Sequence, residues 1–255
     1  MHKSDKQPGA ASPWDIAVAC VLLTRLPMPP LAGAVFDRQA RAAWAYPLAG
    51  LAVAALATAV GALALAIGLG AGVAAGLVLL TQIALTGAMH EDGLADTADG
   101  LWGGFDSTRR LEIMKDSAIG TYGVLALALS LGLRWVALAA LIPAGFGPVL
   151  AAAVLSRALL PALMTALPAA RRGGLSQSVG VPGWDTSGVA IVIALGLALV
   201  SVGIPALGAL LAAVIGCAGL AALARARIGG QTGDILGAAQ QVGEILVLLV
   251  LLSAL

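Results

Sequence analysis

Charged residues are scarce in this 255-residue chain, because Asp, Glu, Lys and Arg make up 11% of it, whereas a soluble domain carries about 25%. The scarcity is concentrated in two long runs, residues 42–89 and 186–224, that contain no charged side chain. Each run is long enough for two helical membrane crossings of about 20 residues. With 60% hydrophobic residues, the composition excludes an ordinary soluble globule. It predicts an all-α, polytopic membrane protein with residues 1–255 as a single membrane domain.

Aromatic side chains, cysteine and net charge are low as well. Aromatics are 4% of the chain, and the apolar runs are filled by Ala, Leu, Val and Gly, which favours closely packed membrane helices. The two cysteines, Cys20 and Cys217, are far apart in the sequence and support neither a disulfide framework nor a zinc site. A net charge of +1 provides no basic surface for nucleic acid, so no nucleic-acid partner is expected.

The apolar runs predict about seven membrane-spanning helices when they are divided at Gly, Pro and charged residues. The apolar segment 14–26 is too short to span, and the proline-rich stretch 27–30 ends it, so a short interfacial or re-entrant helix is predicted there. The predicted spans are residues 44–69, 71–89, 121–141, 147–167, 188–203, 205–224 and 235–255.

Basic residues are distributed unevenly between the two sides of these spans. Counting loops alternately from the N-terminus places 12 of the 14 Lys and Arg residues on one side, which the positive-inside bias predicts to be cytoplasmic. The other two, Arg134 and Arg157, fall inside spans and are predicted to be paired within the bundle or to contact a substrate. The charged side comprises residues 1–43, 90–120, 168–187 and 225–234.

Acidic residues are concentrated in one segment, since seven of the 13 lie within residues 91–116. In a helix, Asp92, Asp96 and Asp99 have i, i+4, i+7 spacing and share one face. Carboxylates at this spacing repel each other unless a cation lies among them. Such oxygen ligands suit Mg²⁺ or Mn²⁺, which bind a few carboxylates together with substrate phosphates. The segment is therefore predicted to hold a divalent metal, with an ordinary solvated acidic loop as the alternative.

Cations follow the acidic segment on the same predicted side of the membrane. Arg109, Arg110 and Lys115 come directly after it, and Arg171 and Arg172 lie in the next charged loop. Guanidinium groups suit phosphate because their donors form a rigid fork. Together with a metal site, these residues predict the transfer of a phosphoryl-linked group.

The last charged turn, residues 229–237, is rich in glycine and leads into the final span. Backbone amides at such a helix start can bind an anion. Asp234 in this turn is predicted either to cap the helix or to lie near the acidic motif as a further ligand. Glu244, deeper in the same span, is a functional candidate because a charge inside a membrane is costly. His90 is predicted to be a hydrogen-bonded residue at a helix end or, as the alternative, a general base.

Five segments in this order resemble the cobalamin synthase family, also called adenosylcobinamide-GDP ribazoletransferase. The most specific of them is the acidic motif, and Gly120 and Gly123 fit the same pattern. The five segments extend over nearly the whole chain. They are TRLPMP at 24–29, EDGLADTADG at 91–100, IMKDS at 113–117, ARRGGL at 170–175 and TGDILGA at 232–238.

The resemblance implies a Mg²⁺-dependent reaction in the cytoplasmic (inner) membrane of a bacterium, with its active site on the cytoplasmic side. Adenosylcobinamide-GDP would react with α-ribazole or its 5′-phosphate, giving adenosylcobalamin or its 5′-phosphate and GMP. Besides these substrates it implies the lipid bilayer as a partner, and it leaves the oligomeric state open. The catalytic groups it implies are Asp92, Asp96 and Asp99, and Asp99 is also the candidate proton acceptor. The metal ligands it implies are the same three aspartates with Glu91. The substrate-binding residues it implies are Arg109, Arg110, Lys115, Arg171 and Asp234, of which the four basic residues are the candidates for phosphate contacts.

Two other classes of protein compete with this interpretation. One is a membrane transferase that uses another diphosphate substrate, such as a CDP-alcohol phosphotransferase or an aspartate-rich prenyltransferase. The CDP-alcohol pattern requires Arg after its Ala, whereas Asp96 follows Ala95 here. The other is a cation-coupled transporter, for which acidic residues at mid-span and repeat symmetry are expected. The sequence instead predicts acidic residues at the cytoplasmic ends of spans, with Glu244 as the deeper exception.

Overall fold

A computed structural model describes residues 11–31 and 33–255 as helices joined by short loops. The first ten residues, which the sequence places on the cytoplasmic side, lie outside the described part. The α-helices are α1 (Pro13–Leu23), α2 (Gly33–Phe36), α3 (Gln39–Ala42), α4 (Tyr46–Ala66), α5 (Ala71–Thr86), α6 (Met89–Gly103), α7 (Ser107–Ile113), α8 (Thr121–Leu141), α9 (Gly147–Ala158), α10 (Leu160–Ala166), α11 (Leu175–Val179), α12 (Trp184–Val202), α13 (Pro205–Ile228) and α14 (Gly233–Ser253).

Within the described residues, six helical stretches are long and apolar enough to cross a membrane. They confirm six of the seven predicted spans, with α12 beginning at Trp184 and α13 continuing to Ile228. The predicted second crossing at 71–89 is wrong in its form. Helix α5 ends at Thr86, and α6 follows at an angle of 87°. The pair therefore makes a broken span or a re-entrant element in place of one straight helix.

The angle between α5 and α6 is produced by two consecutive residues in the left-handed conformation. Gly87 has φ +65° and Ala88 has φ +58°, and the N–H of Ala88 donates to the carbonyl of Ile83 at 2.9 Å. A left-handed residue with a Cβ costs about 1–2 kcal/mol, so surrounding packing must hold Ala88. The side chain of Arg25 lies over the bend, since a Cβ on Gly87 would stand 2.7 Å from Arg25 Nε.

The centre of the bundle is formed by α14 and by the stretch of α9 and α10, which are far more buried than α12 or α13. Small residues allow this density. A Cβ on Gly50 of α4 would lie 2.6 Å from the carbonyl oxygen of Ala153, and one on Gly243 would lie 3.4 Å from Ser156 Cα. Such close backbone approach is typical of membrane helices. Cys20 and Cys217 are buried and unpaired, as the sequence predicted.

The predicted short N-terminal helix is α1, which packs on α3 and α4. Its Asp15 is buried and accepts hydrogen bonds from Arg38 Nε at 3.0 Å and from Trp44 Nε1 at 3.0 Å. Burial raises the pKa of this carboxyl, but the hydrogen bonds from Arg38, Trp44 and the Ser12 backbone outweigh that effect and hold the pKa below its usual value. The ion pair thus fixes α1 to the segment that precedes α4.

Two of the charged loops meet at one end of the bundle. The N–H of Ala170 donates to the carbonyl of Gln231, and the N–H of Gln231 donates to the carbonyl of Pro168, each at 2.8 Å. Gly230 fits beside them only without a side chain, because a Cβ there would lie 2.0 Å from the carbonyl oxygen of Pro168. The loop after α10 and the turn before α14 therefore share one end of the molecule, as the charge distribution predicts.

Candidate active site

The acidic motif forms one continuous helix, α6, which packs along α14 and α8. The closest approach to α14 leaves no room for a side chain. A Cβ on Gly93 would lie 2.8 Å from the carbonyl oxygen of Asp234 and 3.1 Å from Gly237 Cα. This contact confirms the prediction that Asp234, distant in the sequence, lies near the acidic motif.

The first two aspartates of the face are open to a ligand. Asp92 is exposed and Asp96 is half-buried, and neither has an ion pair or side-chain hydrogen bond within residues 11–31 and 33–255. Asp96 lies within electrostatic range of Asp92, Asp234 and the guanidinium of Arg171. Several carboxylates facing one cation leave an excess of negative charge, which a bound cation would neutralise.

Asp234 belongs to this site and does not cap α14. The cap is Thr232, whose hydroxyl accepts a hydrogen bond from the N–H of Ile235 at 3.3 Å. The carboxylate of Asp234 accepts from that same hydroxyl at 3.1 Å and from Arg171 Nη2 at 3.2 Å. The sequence allowed Asp234 to be either the cap of α14 or a ligand near the acidic motif, and the structure shows that Thr232 is the cap.

Arg171 is the cation that faces these carboxylates. One terminal nitrogen pairs with Asp234, while Nη1 is buried and has no hydrogen-bond partner in the described part of the chain. A buried donor without an acceptor costs about 1–3 kcal/mol. An anionic oxygen at this nitrogen would remove that cost, and guanidinium donors match phosphate.

Asp99, the third aspartate of the face, is engaged differently. Its Oδ2 accepts the N–H of Gly120 at 2.7 Å and its Oδ1 accepts the N–H of Gly123 at 2.9 Å. The carboxylate thus satisfies free amides at the start of α8, an arrangement favoured by the helix dipole. Both glycines are required, since a Cβ on either would lie within 2.5 Å of an Asp99 oxygen. Their place in the sequence pattern is explained by this cap.

The donor set of Asp92, Asp96 and Asp234 fits Mg²⁺ only as an open site. Among the described residues, no three His, Cys, Asp or Glu side chains converge as a preformed metal cage. Mg²⁺ does not need such a cage, because it keeps several waters and binds one or two carboxylates together with substrate phosphates. The two unpartnered carboxylates and the free nitrogen of Arg171 meet that description.

Glu91 lies apart from this group. It is buried, and its Oε1 accepts a hydrogen bond from Arg134 Nη2 at 3.0 Å. Arg134 also pairs with Glu244, at 3.3 Å between Nη1 and Oε1. Because Arg134 is near the middle of α8, Glu91 is also inside the bundle, although the sequence predicted Glu244 as the deeper exception. The structure does not bring Glu91 to the open carboxylates with which it was grouped as a metal ligand.

A polar network extends this ion pair through the interior. Arg157 lies 3.9 Å from Glu244, so two arginines balance two glutamates, and pairing of such charges is the expected solution in a membrane interior. Sequence reasoning left open whether Arg134 and Arg157 are paired or touch a substrate, and the structure shows them paired. The equal numbers of arginines and glutamates inside the bundle are the feature from which these pairs could have been predicted. The other members are Gln240, Gln241, Ser130 and Ser156, joined by hydrogen bonds between their side chains and to the glutamates.

The basic residues after the acidic helix are exposed or have partners other than the open carboxylates. Arg109 is exposed and pairs with Glu112 at 3.1 Å. Arg110 donates to the carbonyl of Arg227 at 3.1 Å, which fixes α7 to α13. Lys115 is exposed. Of the predicted phosphate-binding cations, the structure places Arg171 at the open carboxylates.

His90 lies in the first turn of α6, at a helix end as the sequence predicted, and it is buried. Its Nε2 has no hydrogen-bond partner in residues 11–31 and 33–255. The residue lines a cavity beside the first turn of α14. The hydrogen bond that the sequence predicted for this side chain is therefore missing at Nε2.

The fold and the site define a helical membrane protein with open carboxylates and an arginine at the charged end of its bundle, an arrangement suited to a phosphorylated ligand. The chain belongs to the cobalamin-5-phosphate synthase family, whose sequence model matches residues 15–252.

Relatives with curated names match this chain over most of its length. A protein of Bradyrhizobium diazoefficiens is 47% identical over 242 residues, which cover 92% of each chain. A protein of Mesorhizobium japonicum is 44% identical, again over 92% of each chain, and one of Rhizobium meliloti is 43% identical over 92% of this chain and 95% of its own. All three are named adenosylcobinamide-GDP ribazoletransferase. No solved structure matches the chain.

Proposed function

We propose that this protein is an adenosylcobinamide-GDP ribazoletransferase. It transfers the adenosylcobinamide-phosphate part of adenosylcobinamide-GDP to α-ribazole or α-ribazole 5′-phosphate and releases GMP. The observation that carries the proposal is the site at which Asp92 and Asp96 remain open beside the Arg171–Asp234 pair. The shared name of the relatives, adenosylcobinamide-GDP ribazoletransferase, supports this choice of substrates.

The reaction exchanges one phosphorus–oxygen bond for another. A ribose hydroxyl oxygen of the ribazole forms a bond to the phosphorus nearest the corrin. The bond from that phosphorus to the bridging oxygen of the diphosphate breaks, and GMP leaves with the electron pair. The hydroxyl proton passes to a carboxylate, and Asp96 is our choice because it is half-buried and unpartnered. Asp99, the acceptor that the resemblance implied, already binds two backbone amides.

Arg171 and the carboxylates share the task of holding the diphosphate. The free Nη1 of Arg171 donates to a phosphate oxygen, while its Nη2 stays with Asp234. Asp92, Asp96 and Asp234 are the residues that would hold Mg²⁺, with Mn²⁺ as the alternative. A bound divalent ion would neutralise charge on the transferring and leaving phosphates. The neighbouring α6–α14 contact keeps these side chains on two rigid helices.

The proposal places the protein in the cytoplasmic membrane of a bacterium, with the site on the cytoplasmic side. It is supported by the six apolar stretches and by the meeting of the charged loops at the end of the bundle that carries Asp234. Soluble nucleotides such as GMP are then released where they are used. The lipid bilayer surrounds the exposed apolar faces of α12 and α13.

The experiment is a GMP-release assay on the purified protein in nanodiscs. We expect release only when adenosylcobinamide-GDP, α-ribazole and Mg²⁺ are all present. The competing classes are tested in parallel with CDP-alcohol and prenyl diphosphate substrates and, in sealed vesicles, with a cation flux measurement. Turnover of one of these substrates, or flux, without GMP release from adenosylcobinamide-GDP would overturn the proposal.

A further inference from the structure

A cavity lies beside the open carboxylates, between the first turns of α6 and α14. It is bounded by Met89 and His90 on the α6 side and by Gly233, Leu236 and Gly237 on the α14 side. Asp234 lies within that turn of α14, and Asp92 is one helical turn from Met89. The cavity therefore adjoins the place where the phosphates are bound in the proposed function. The remaining lining residues are Leu22, Leu23, Tyr46, Leu160, Met164, Ser176 and Val179.

The walls are mostly apolar but contain a polar group that is not satisfied. Leu160, Met164 and Leu236 present aliphatic or thioether surface, and Met89 adds a second sulfur. His90 is 2% exposed, and its Nε2 lacks a hydrogen-bond partner in the part of the chain that the structure describes. A ligand for this cavity is therefore a flat or compact apolar group that carries one hydrogen-bonding atom.

The cavity is small, and one of its walls is the short helix α11. The cavity has a volume of about 60 Å³ and opens to the outside on one side. An aromatic ring needs more room than this, since a cavity of about 150 Å³ admits benzene. Helix α11 contributes Ser176 and Val179 to the lining, and it is held between Gly174 and Gly180, both at positive φ. A bicyclic ring therefore enters this cavity only if the short wall formed by α11 moves outward.

We propose that this cavity binds the base of the ribazole substrate, a dimethylbenzimidazole. The inference rests on the proposed function and deepens it. The methylated ring meets the apolar walls, and the ring nitrogen that is not bonded to ribose accepts a hydrogen bond from His90 Nε2. The ribose then extends toward Asp96 and Asp234, where its hydroxyl meets the diphosphate. His90 is a specificity-determining residue in this arrangement and takes no part in bond exchange.

The hydrogen bond is tested with an analogue that lacks its acceptor. α-Ribazole and the corresponding indole nucleoside differ in one ring nitrogen, which plays no part in the transfer of phosphorus. The wild type is expected to bind α-ribazole about tenfold more tightly than the indole nucleoside. The variant His90→Phe is expected to bind the two equally. Equilibrium dialysis in nanodiscs measures both affinities without turnover, and loss of stability alone would not abolish the difference between two ligands.

The walls are tested by filling the cavity from α11. Val179→Phe places a ring in the lining, whereas Val181→Phe makes the same change two residues later at a position that is 69% exposed. We expect Val179→Phe to raise the KM for α-ribazole at least about tenfold and to leave the KM for adenosylcobinamide-GDP within about twofold. Val181→Phe should change neither. Monodisperse elution and an unchanged Tm show that each variant is folded.

The outcomes of these experiments test the cavity assignment and the proposed function separately. Equal binding of the two nucleosides by the wild type, or an unchanged ribazole KM in folded Val179→Phe, overturns the cavity assignment while GMP release still supports the function. Absence of GMP release from the wild type overturns the function, and the dialysis experiment then still decides whether the cavity takes the benzimidazole. If Val179→Phe does not fold, the comparison of the two nucleosides in wild type and His90→Phe decides alone.

Discussion

Glu91 and Asp92 are consecutive on α6, but their side chains lie in different surroundings. Glu91 pairs with Arg134 inside the bundle, whereas Asp92 is exposed at the open site. The 3.0 Å pair between Glu91 Oε1 and Arg134 Nη2 therefore fixes the rotation of α6 about its axis. That rotation decides where the next carboxylate points. Among the described residues Arg134 makes its side-chain hydrogen bonds to Glu91 and Glu244 and none to the open carboxylates, so the buried ion pair acts on the site through the position of α6.

Replacing Arg134 tests this relationship. Arg134→Met leaves Glu91 buried without its cation and leaves Glu244 with only the 3.9 Å pair to Arg157, so we expect a loss of about 3–5 kcal/mol in stability. The double variant Arg134→Met/Glu91→Gln removes one of the stranded charges and should recover part of it. Thermal unfolding in detergent compares the variants. Arg109→Met, which breaks an exposed pair, is the matched control and should cost about 0–1 kcal/mol; an equal loss in both variants would contradict the role of the interior pair.

The open carboxylates are tested by removing one charge at a time. Asp92→Asn and Asp96→Asn should each lower GMP release about 10²-fold or more, because each removes a carboxylate that would hold the divalent cation and so misplaces the diphosphate. Stability should stay equal or rise, since like charges are fewer. Turnover and Tm are measured on the same samples. Glu112→Gln, an exposed residue of the same segment, should leave both unchanged. Wild-type turnover in either Asp variant at saturating Mg²⁺ would exclude its role.

Replacing Asp234 by serine distinguishes a role as metal ligand from a role as helix cap. Thr232 caps α14, so Asp234→Ser should cost little stability, yet we expect it to lower turnover markedly and to raise the Mg²⁺ concentration needed. A hydroxyl is a much poorer ligand than a carboxylate for this ion. Turnover against Mg²⁺ is the measurement. Thr232→Ser keeps a capping hydroxyl and serves as the control, and an Asp234→Ser curve that superimposes on wild type would return Asp234 to a structural role.

The close contact between α6 and α14 predicts that Gly93 cannot carry a side chain without loss of activity. Gly93→Ala would bring its Cβ to 2.8 Å from the carbonyl oxygen of Asp234, which must push the two helices apart and reduce GMP release strongly. Gly132→Ala on α8 meets nothing within 4 Å and should stabilise by about 0.8–1 kcal/mol through helix propensity. Turnover and Tm of the two variants are compared side by side. Full activity of Gly93→Ala would show that the close approach is dispensable.

The orientation in the membrane is tested by cysteine labelling. The native Cys20 and Cys217 are buried, so an impermeant thiol reagent should react with introduced cysteines first. Asp106→Cys, on the charged side, should be protected in intact cells and react only after lysis. Ser253→Cys, at the opposite end of α14, should react from outside. The reverse pattern would show that the carboxylate site faces away from the cytoplasm.

Much of the fold can be predicted from the sequence, because long runs without charged residues indicate the segments that cross the membrane. The spacing of Asp92, Asp96 and Asp99 likewise predicted a helix, and the glycines around Asp234 predicted its approach to that helix. These signals are local or compositional. They depend on residue type and not on long-range packing.

The break in the second span was not accessible in the same way. Residues 71–89 read as one apolar stretch, and the left-handed Ala88 that ends it carries no sequence signal of its own. The sequence also grouped Glu91 with the aspartates, because nothing in the spacing shows that Arg134, 43 positions later, faces it. Arg109 and Arg110 were assigned to phosphate by charge alone, whereas Arg109 pairs with Glu112 in its own helix and Arg110 makes a tertiary contact with the Arg227 carbonyl.

The left-handed turn at residues 87–88 also has an electrostatic consequence. A straight second span would carry its backbone dipoles continuously across the bilayer, but the turn starts a new helix inside the protein. The amino end of α6 therefore brings partial positive charge of about half a unit into the interior, beside Glu91. Two guanidinium groups and one helix terminus thus face two buried glutamates, so the bend adds positive potential at the point in the interior where the two carboxylates lie.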